Sequence, residues 1–176
     1  MPFFDPSEQE RRSFMSVLRH TVLEGPLRLV RFTDSSRGHT AAFGREDRKN
    51  GLYGSYWMYA TEIQELLGLV ARGHPYGLAL LREISRRWAI CDDWGDLGRT
   101  WVMDIPPHGR LNAYFGFAKF QPAISTAHQK KHHVERHETY PGGSLQLVVR
   151  LDKQACGWIS GPLRTIDLSK KKLSLL

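Results

Sequence analysis

The amino-acid sequence predicts an α+β fold in a single domain. The chain has 176 residues, a length that suits one domain with a core of its own. Apolar residues at helical spacing concentrate before residue 90, whereas the alternation of apolar and polar residues that is typical of strands dominates after residue 100. Strands that follow helices, rather than alternating with them, favour an α+β fold over a doubly wound parallel sheet.

The first third of the chain is predicted to contain a helix, a strand and a long loop. Residues 7–22 place apolar side chains at helical spacing, and Ser7 can cap this helix, so residues 1–25 form an N-terminal helical segment. Residues 27–32 alternate apolar and basic side chains, as a strand does. The polar, glycine-rich stretch 33–54 predicts a loop of about 20 residues, a length usually associated with function or mobility.

The rest of the chain is predicted to form two helices and several strands. Residues 54–59 predict a short aromatic strand, Thr61 can cap the helix after it, and a third helix is expected over 76–89. The basic tail, residues 168–176, is expected to fray. Four further strands are predicted, over residues 101–105, 111–118, 144–151 and 157–160.

The composition indicates a folded, basic protein. Apolar residues make up 41% and charged residues 24%, as in globular domains, and no apolar run approaches the roughly 18 residues of a membrane helix. The N-terminus lacks the apolar stretch of a Sec signal peptide. We therefore expect no membrane insertion and action in the cytoplasm, either of the producing cell or of a target cell reached by another secretion or injection route. The net charge of +7 attracts nucleic acid, ribosomes, acidic proteins or anionic cofactors without choosing among them.

Three groups of reactive side chains are interpreted as structural. Cys91 and Cys156 lie far apart in the sequence, which predicts free thiols in a reducing compartment. Residues 128–137 carry four histidines at helical spacing but lack the H-E-x-x-H order of a zinc protease, so a solvated basic loop is expected. Residues 92–96 hold three aspartates, interpreted as an acidic turn that ends a helix rather than as a metal site or an acid–base pair. No bound metal is expected.

A scattered constellation remains as the candidate functional site. The sequence has no P-loop, no dinucleotide-binding glycine fingerprint and no G-x-S-x-G elbow, which argues against those three enzyme classes. Arg31 ends the first predicted strand, Tyr56 and Trp57 lie on an aromatic strand, and Gln146 follows the Pro-Gly-Gly-Ser-Leu turn that begins at Pro141. Each residue alone fits an ordinary structural role, whereas their order and chemical type together point to a site.

In that order and type, the chain resembles the ADP-ribosyltransferase superfamily, especially the small toxin domains of bacterial polymorphic, Rhs-type and type VI effectors. The resemblance spans residues 27–162 and rests on an Arg at the end of an early strand, a Gly-aromatic-Trp strand followed by a helix, and a late Gly-Gly-x-x-Gln strand. At that last turn the chain is also similar to the tuberculosis necrotizing toxin group of NAD glycohydrolases. The resemblance implies a split β-sandwich with flanking helices, and a toxin or effector that consumes NAD.

The resemblance also implies roles for individual residues. Arg31 would hold the NAD pyrophosphate, since a guanidinium pairs bidentately with phosphate as a lysine does not. Gln146 would contact the ribose, whose hydrogen bonds strengthen as the nicotinamide–ribose bond breaks. Arg31 and Gln146 are thus the candidate catalytic residues. The candidate NAD-binding residues are Arg31, Phe32, His39, Tyr53, Tyr56 and Trp57.

The glutamine at position 146 leaves the reaction open. Many members of the superfamily have Glu there, and a carboxamide cannot act as a general base. Transfer of ADP-ribose to a protein or RNA acceptor, which includes a ribosomal one, is the first hypothesis, and NAD hydrolysis is the alternative. Glu135 or Glu138, in the nearby loop, is our guess for a residue that supplies the missing carboxylate. A second alternative is a basic module that binds RNA or ribosomes without catalysis. A toxin of this type would also have an immunity protein as partner.

Overall fold

The computed structural model describes residues 4–47, 52–71, 78–133 and 138–165, and it has the α+β character that the sequence predicts. Few helices accompany a mostly antiparallel sheet. The helices are α1 (Glu8–Arg12), α2 (Ala60–Ala71), α3 (Leu78–Trp88), α4 (Thr126–His132) and α5 (Lys153–Cys156). The strands are β1 (Arg19–Glu24), β2 (Leu27–Thr33), β3 (Arg45–Asp47), β4 (Leu52–Tyr59), β5 (Arg99–Ile105), β6 (Arg110–Phe117), β7 (Gln121–Pro122), β8 (Thr139–Tyr140), β9 (Leu145–Leu151) and β10 (Ile159–Arg164).

The main sheet changes partners at its central strand. The strand order is β1-β6-β9-β4-β2-β5-β10, with β3 added to β4, and β7 and β8 pair separately. Strand β4 pairs with β9 over residues 53–57 but with β2 only at Met58 and Tyr59. The two halves of the sheet therefore share only the end of β4, and β2 diverges from β9 beyond it.

The two faces of the sheet bury different layers. On one face, β2, β4 and β5 pack against α2 and α3 through Ile63, Leu66, Ile84 and Trp88. The N-terminal segment, residues 4–18, covers the β6–β9 half of that face with Phe4, Phe14 and Leu18, which pack on Tyr114 and Val148. The opposite face forms the largest apolar cluster. Its fully buried members of greatest volume are Trp57, Trp101, Leu29, Met103, Ile105, Leu111, Leu147 and Leu151.

The strands predicted over 27–32, 54–59, 101–105, 111–118 and 144–151 are confirmed, with ends shifted by up to two residues. The last predicted strand lies slightly later, at β10. The residues of β9 alternate between the two faces, because Leu147 and Val149 join the large apolar cluster while Val148 faces the N-terminal segment.

The helix predicted over 7–22 is wrong beyond its first turn. The Ser7–Glu10 capping box starts α1 as expected, but the helix ends at Arg12, and β1 begins at Arg19. Of the apolar stripe, Phe14 and Leu18 are buried against the sheet, whereas Val17 is 82% exposed. Pairing of β1 with β6 satisfies the backbone there, so tertiary context overrides the helical spacing.

The loop predicted over 33–54 is shorter than expected. A 3₁₀ turn at His39–Ala42 and strand β3 interrupt it, and β4 already begins at Leu52. Helix α2 starts at Ala60, so Thr61, which was predicted to cap it, lies inside its first turn instead. Helix α3 is described from Leu78, so the expected start of the third helix at residue 76 lies outside the described residues, as does the tail 168–176.

The Gly-Gly turn before β9 has a clear structural function. Gly142 and Gly143 have φ values of 68° and 89°, in the left-handed region that glycine adopts without strain. The Gly142 amide donates to the Arg86 carbonyl of α3 at 3.0 Å, and the Gly143 amide donates to the Ala118 carbonyl after β6 at 2.9 Å. The turn thus ties the start of β9 to the end of α3 and to the end of β6.

Candidate functional site

A cavity of about 330 Å³ lies where the N-terminal segment, the end of α3 and the strands β2, β4 and β9 meet. It lies on the face of the sheet that the helices α2 and α3 and the N-terminal segment cover, at the boundary between α3 and the N-terminal segment. Its volume is at the lower end of the range of ligand pockets. The lining residues that matter below are Ser13, Arg31, Phe32, Asp34, Arg37, Tyr56, Trp88, Trp94, Lys119, Gln121 and Gln146.

Arg31 projects from β2 at the point where β2 leaves β4. Its Nε donates to the Ala41 carbonyl at 3.2 Å, and its Nη1 donates to the Tyr56 carbonyl at 3.1 Å. Both contacts are to neutral main-chain oxygens, and no described carboxylate forms an ion pair with it. Burial, followed by the nearby Arg37 guanidinium, lowers the pKa of Arg31 to about 10, so it stays cationic at neutral pH. A positioned cation with donors to spare is therefore among the residues that line the cavity.

Gln146 is the most informative polar side chain of the cavity. The residue is only 7% exposed, no described residue hydrogen-bonds its carboxamide, and the amide atoms are open to the cavity rather than sealed from it. An amide that is accessible in this way can bond water or a ligand, so it does not carry the full cost of a sealed, unpaired polar group. Its main chain is fixed by pairing with Gly116 of β6, and the Trp88 Nε1 donates to the adjacent Leu145 carbonyl at 2.9 Å. A rigid frame thus presents a free amide to the cavity.

Tyr56 and the N-terminal segment form the wall opposite the end of α3. The Tyr56 hydroxyl lies 3.4 Å from the Ser13 hydroxyl, and burial raises the pKa of Tyr56, so it is a neutral donor. The segment is anchored beside this contact by an ion pair in which the Arg150 Nη2 donates to the Glu10 Oε2 at 2.6 Å. Both partners are largely buried, at 14% and 13% exposure. The Arg150 guanidinium also lies 4.7 Å from the Phe4 ring.

The cavity is electropositive. Arg31, Arg37 and Lys119 line it, whereas Asp34 is the one carboxylate among the described lining residues. Hydrogen bonds from the Ser36 hydroxyl and amide, and from the Asp96 amide, lower the pKa of Asp34. A carboxylate whose pKa is lowered and which already accepts several hydrogen bonds is a weak base. The arrangement suits a bound anion but supplies little general-base power.

The structure brings four of the predicted site residues together and separates two others. Arg31, Phe32, Tyr56 and Gln146 line the one cavity, although up to 115 positions separate them in the sequence. Two predictions need correction. Trp57 is fully buried in the large apolar cluster on the opposite face, because it alternates with Tyr56 along β4.

The second correction concerns Tyr53. It lies on the outer part of the large apolar cluster, where its ring centroid is 5.6 Å from that of Phe43, and it does not line the cavity. For His39 the main chain belongs to the 3₁₀ turn, and its side chain lies outside what the structure describes.

Sequence reasoning missed several lining residues. Trp88 was assigned only to the apolar face of a helix, and Trp94 only to an acidic turn. Lys119 and Gln121 follow β6 and carry no local pattern at all. Ser13 was placed inside a helix that does not extend so far. Only Trp94 carried a usable signal, because it lies among three aspartates in the sequence and has no apolar residue directly beside it there.

The groups interpreted as structural have structural contacts. Asp92 accepts from the Tyr140 hydroxyl at 2.6 Å, and Asp93 accepts at 2.7 Å from the amide of Ser125, whose own hydroxyl caps α4. Burial raises the pKa of the Cys91 thiol to about 12. Within the described ranges, no three His, Cys, Asp or Glu side chains are grouped to hold a metal ion, and both cysteines are free.

Of the two carboxylates that were guessed to assist Gln146, Glu138 is not among the described residues that line the cavity. Glu138 forms an ion pair with Arg82 at 2.9 Å and borders a different depression. Glu135 lies outside the described residues. The basic segment contributes His128 and His132 to α4, where their ring centroids are 4.3 Å apart.

Comparisons of the chain with protein families, with curated proteins and with solved structures each gave no match. Among the described residues, no helix is long and apolar enough to cross a membrane. The geometry of the cavity is therefore the basis for a functional proposal.

Proposed function

We propose that this chain is an NAD-consuming enzyme of the ADP-ribosyltransferase type, a toxin or effector domain that breaks the nicotinamide–ribose bond and transfers ADP-ribose to a macromolecule. One observation carries the proposal. An arginine, a tyrosine and a glutamine that are distant in the sequence line one electropositive cavity, and no described residue hydrogen-bonds the glutamine amide there. The cavity thus offers both an anion-binding group and an amide that is free to bond a ligand, which suit the phosphates and the ribose of NAD.

The arrangement of the strands supports the same proposal. The three strands that carry the resembling motifs, namely the Arg31 strand, the Tyr56 strand and the Gln146 strand, are neighbours in the order β9-β4-β2. Helix α2 follows the aromatic strand directly, as the resemblance implies. The divergence of β2 from β9 beyond the end of β4 is consistent with a split β-sandwich, which we propose as the fold.

The residues suit the two halves of NAD. Arg31 has N–H donors that no described residue uses, and a guanidinium suits the pyrophosphate. Phe32, Tyr56 and Trp88 give the cavity flat apolar walls for the nicotinamide ring. The amide of Gln146 can hydrogen-bond a ribose hydroxyl, and that bond strengthens as positive charge develops on the sugar. Because the cavity is small, the nicotinamide–ribose end would occupy it and the adenosine end would extend outward.

The bond changes in this reaction are simple. The bond from the anomeric carbon to the nicotinamide nitrogen breaks, and its electron pair leaves with neutral nicotinamide. A lone pair of the acceptor forms the new bond to the same carbon, and the acceptor proton passes to solvent. Because Asp34 is a weak base, the chain gives the acceptor little activation.

This weakness supports a second candidate function, an NAD glycohydrolase in which water is the acceptor. The specific observation is that the described lining residues include no carboxylate besides Asp34, whose oxygens already accept hydrogen bonds. Nicotinamide release that needs no added macromolecule, with free ADP-ribose as the other product, would identify the glycohydrolase.

The experiment compares purified wild type with Arg31→Lys and Gln146→Ala in a nicotinamide-release assay, with and without a bacterial lysate and labelled NAD. We expect Arg31→Lys to lower kcat/KM at least about tenfold, because an ammonium replaces a bidentate guanidinium. Arg28→Lys is the matched control, since Arg28 lies on the same strand but pairs with Asp104 at the surface. If wild type releases no nicotinamide and labels no macromolecule, the proposal is wrong.

A further inference from the structure

A groove leads from the mouth of the cavity along the surface. It is lined by Glu8, Gln9, Arg12, Ser13, Trp94, Lys119, Phe120, Gln121 and Pro122, of which Gln9, Ser13, Trp94, Lys119 and Gln121 also line the cavity. Because the two depressions share these residues, the groove is continuous with the cavity. An acceptor lying in it would reach the anomeric carbon of a bound NAD from outside.

Two aromatic side chains stand in this groove without a packing layer over them. Trp94 is 51% exposed and Phe120 is 59% exposed. Large aromatic rings are normally buried in a monomer, because exposing them forgoes roughly 25 cal/mol for each Å² of apolar surface. Two such rings at one opening form a platform on which flat, apolar groups can stack.

The charges around the groove favour an anionic occupant. Arg12, Lys119, Arg31 and Arg37 line the groove and the cavity, against the two carboxylates of Glu8 and Asp34. Arg12 gives one of its N–H donors to Glu8 in an ion pair, whereas Lys119 has no described ion pair. Helix α4 begins beside Trp94, since the Ser125 amide and hydroxyl bond to Asp93 at 2.7 and 2.5 Å. Residues 126–132 of this helix carry two lysines, two histidines and no acidic residue. The basic character therefore extends outward from the groove.

We propose that this groove binds a single-stranded nucleic acid, which is the acceptor of the ADP-ribose; the inference rests on the proposed function. Stacked bases on Trp94 and Phe120, with phosphates on Arg12 and Lys119, match the combination of aromatic platform and cationic track that single-stranded nucleic acid requires. An acidic peptide would pair with the cations but leave both rings in water. A nucleotide hydroxyl or ring nitrogen in the groove would attack the anomeric carbon as nicotinamide leaves, and its proton would pass to solvent.

The first test measures binding without NAD, by fluorescence anisotropy of a labelled oligonucleotide of about ten nucleotides. Ribo and deoxyribo versions of one sequence are compared, and a polyglutamate peptide is the competitor. We expect Phe120→Ala to weaken binding about 5- to 100-fold, the effect of losing one stacked base. Phe117→Ala is the matched control, because Phe117 is also 51% exposed but lines neither the groove nor the cavity, and it should leave binding unchanged.

The charge contribution is tested by salt dependence. Lys119→Ala should reduce the slope of log affinity against log salt by about one, because one phosphate contact is lost. Lys153→Ala, at an exposed position on α5, should leave the slope unchanged. Polyglutamate that competes as well as the oligonucleotide, or binding that is indifferent to Phe120→Ala, would overturn the assignment of the groove.

The second test adds labelled NAD. Label should appear on the oligonucleotide with wild type and with Phe117→Ala, and fall with Phe120→Ala in proportion to the lost binding. Nicotinamide release without any oligonucleotide should be the same for all three, since neither phenylalanine lines the cavity. Label on protein alone would overturn the nucleic-acid acceptor. If wild type releases no nicotinamide, the proposed function fails, and the binding data, obtained without NAD, still decide what the groove binds.

Discussion

Replacement of Gln146 by methionine should separate the function of this residue from the stability of the fold. The two side chains have nearly the same length, so packing is kept while the polar amide is removed. The residue is 7% exposed and its amide has no described partner, but the amide atoms are open to the cavity, where water can bond them. Its cost therefore lies below the roughly 1–3 kcal/mol of a sealed, unpaired polar group. About 1 kcal/mol corresponds to about 2–4 °C in a chain of this size, so Tm should rise by no more than that.

Activity should change in the opposite direction. If the amide bonds the ribose in the transition state, its loss removes a hydrogen bond to a group that is becoming charged, a contribution of about 1.5–3 kcal/mol. This corresponds to a decrease in nicotinamide release of roughly 10- to 100-fold. Initial rates of nicotinamide release and thermal unfolding, measured on the same preparations, test both signs together.

Thr100→Val is the control for this prediction. Thr100 is fully buried, and its hydroxyl lies 2.9 Å from that of Thr165, so it is a satisfied polar group that does not itself line the cavity. Its loss should lower stability by about 1 kcal/mol and leave nicotinamide release unchanged. If Gln146→Met instead lowers Tm and leaves nicotinamide release intact, Gln146 is a structural residue and our reasoning about the site is refuted.

Three further predictions concern stability. Gly142→Ala should destabilise the fold by more than about 1 kcal/mol, because φ is 68° and an added Cβ would lie 2.4 Å from a backbone oxygen. Gly143→Ala should cost less, because an added Cβ there meets nothing within 4 Å. Urea denaturation midpoints of the two variants test this order. Burial raises the pKa of Glu10, but hydrogen bonds from Arg150 and the Ser7 amide outweigh burial, so the net pKa is lowered from 4.5. Wild type should therefore lose stability as the pH falls below 4.5, and Glu10→Gln should lack this acid-dependent loss. Burial, followed by repulsion from a neighbouring carboxylate, raises the pKa of Glu62 to about 7. Wild type should therefore lose stability as the pH rises from 4.5 to 7. Glu62→Gln should raise Tm at pH 8 but not at pH 4.

The strands were the predictable part of the fold, and the N-terminal segment was not. Strands β2, β5, β6 and β9 lie in the middle of the sheet and are marked by alternation or by β-branched and aromatic residues, so local pattern and tertiary context agree. In residues 13–18 they disagree, because spacing favours a helix while the sheet face of β6 and β9 needs a cover. The buried pair Glu10 and Arg150, which fixes that cover, joins residues 140 positions apart and leaves no local signal.

The candidate site was predictable only through a resemblance. Arg31 and Gln146 are single residues that no periodicity distinguishes, and their meeting depends on β4 lying between the strands that carry them. Alternation decides between the two aromatic candidates on β4, since Tyr56 and Trp57 must face opposite sides of the sheet. The sequence alone did not indicate which of those sides holds the cavity, because both sides of this sheet are covered.

The Gly-Gly turn and the free amide of Gln146 are linked through the register of β9. A slip of one residue would place Leu147 in the cavity and drive the Gln146 amide into the large apolar cluster. The register is set at the start of the strand, where the Gly142 amide bonds to α3 and the Trp88 indole bonds to the Leu145 carbonyl. The glycines therefore contribute to the site indirectly. They let the chain dock on the end of α3, and this docking sets the register in which Gln146 presents its amide to the cavity. A variant that loosens this docking, such as Gly142→Ala, should lower nicotinamide release even at temperatures where the protein remains folded, whereas Gly143→Ala should have a smaller effect.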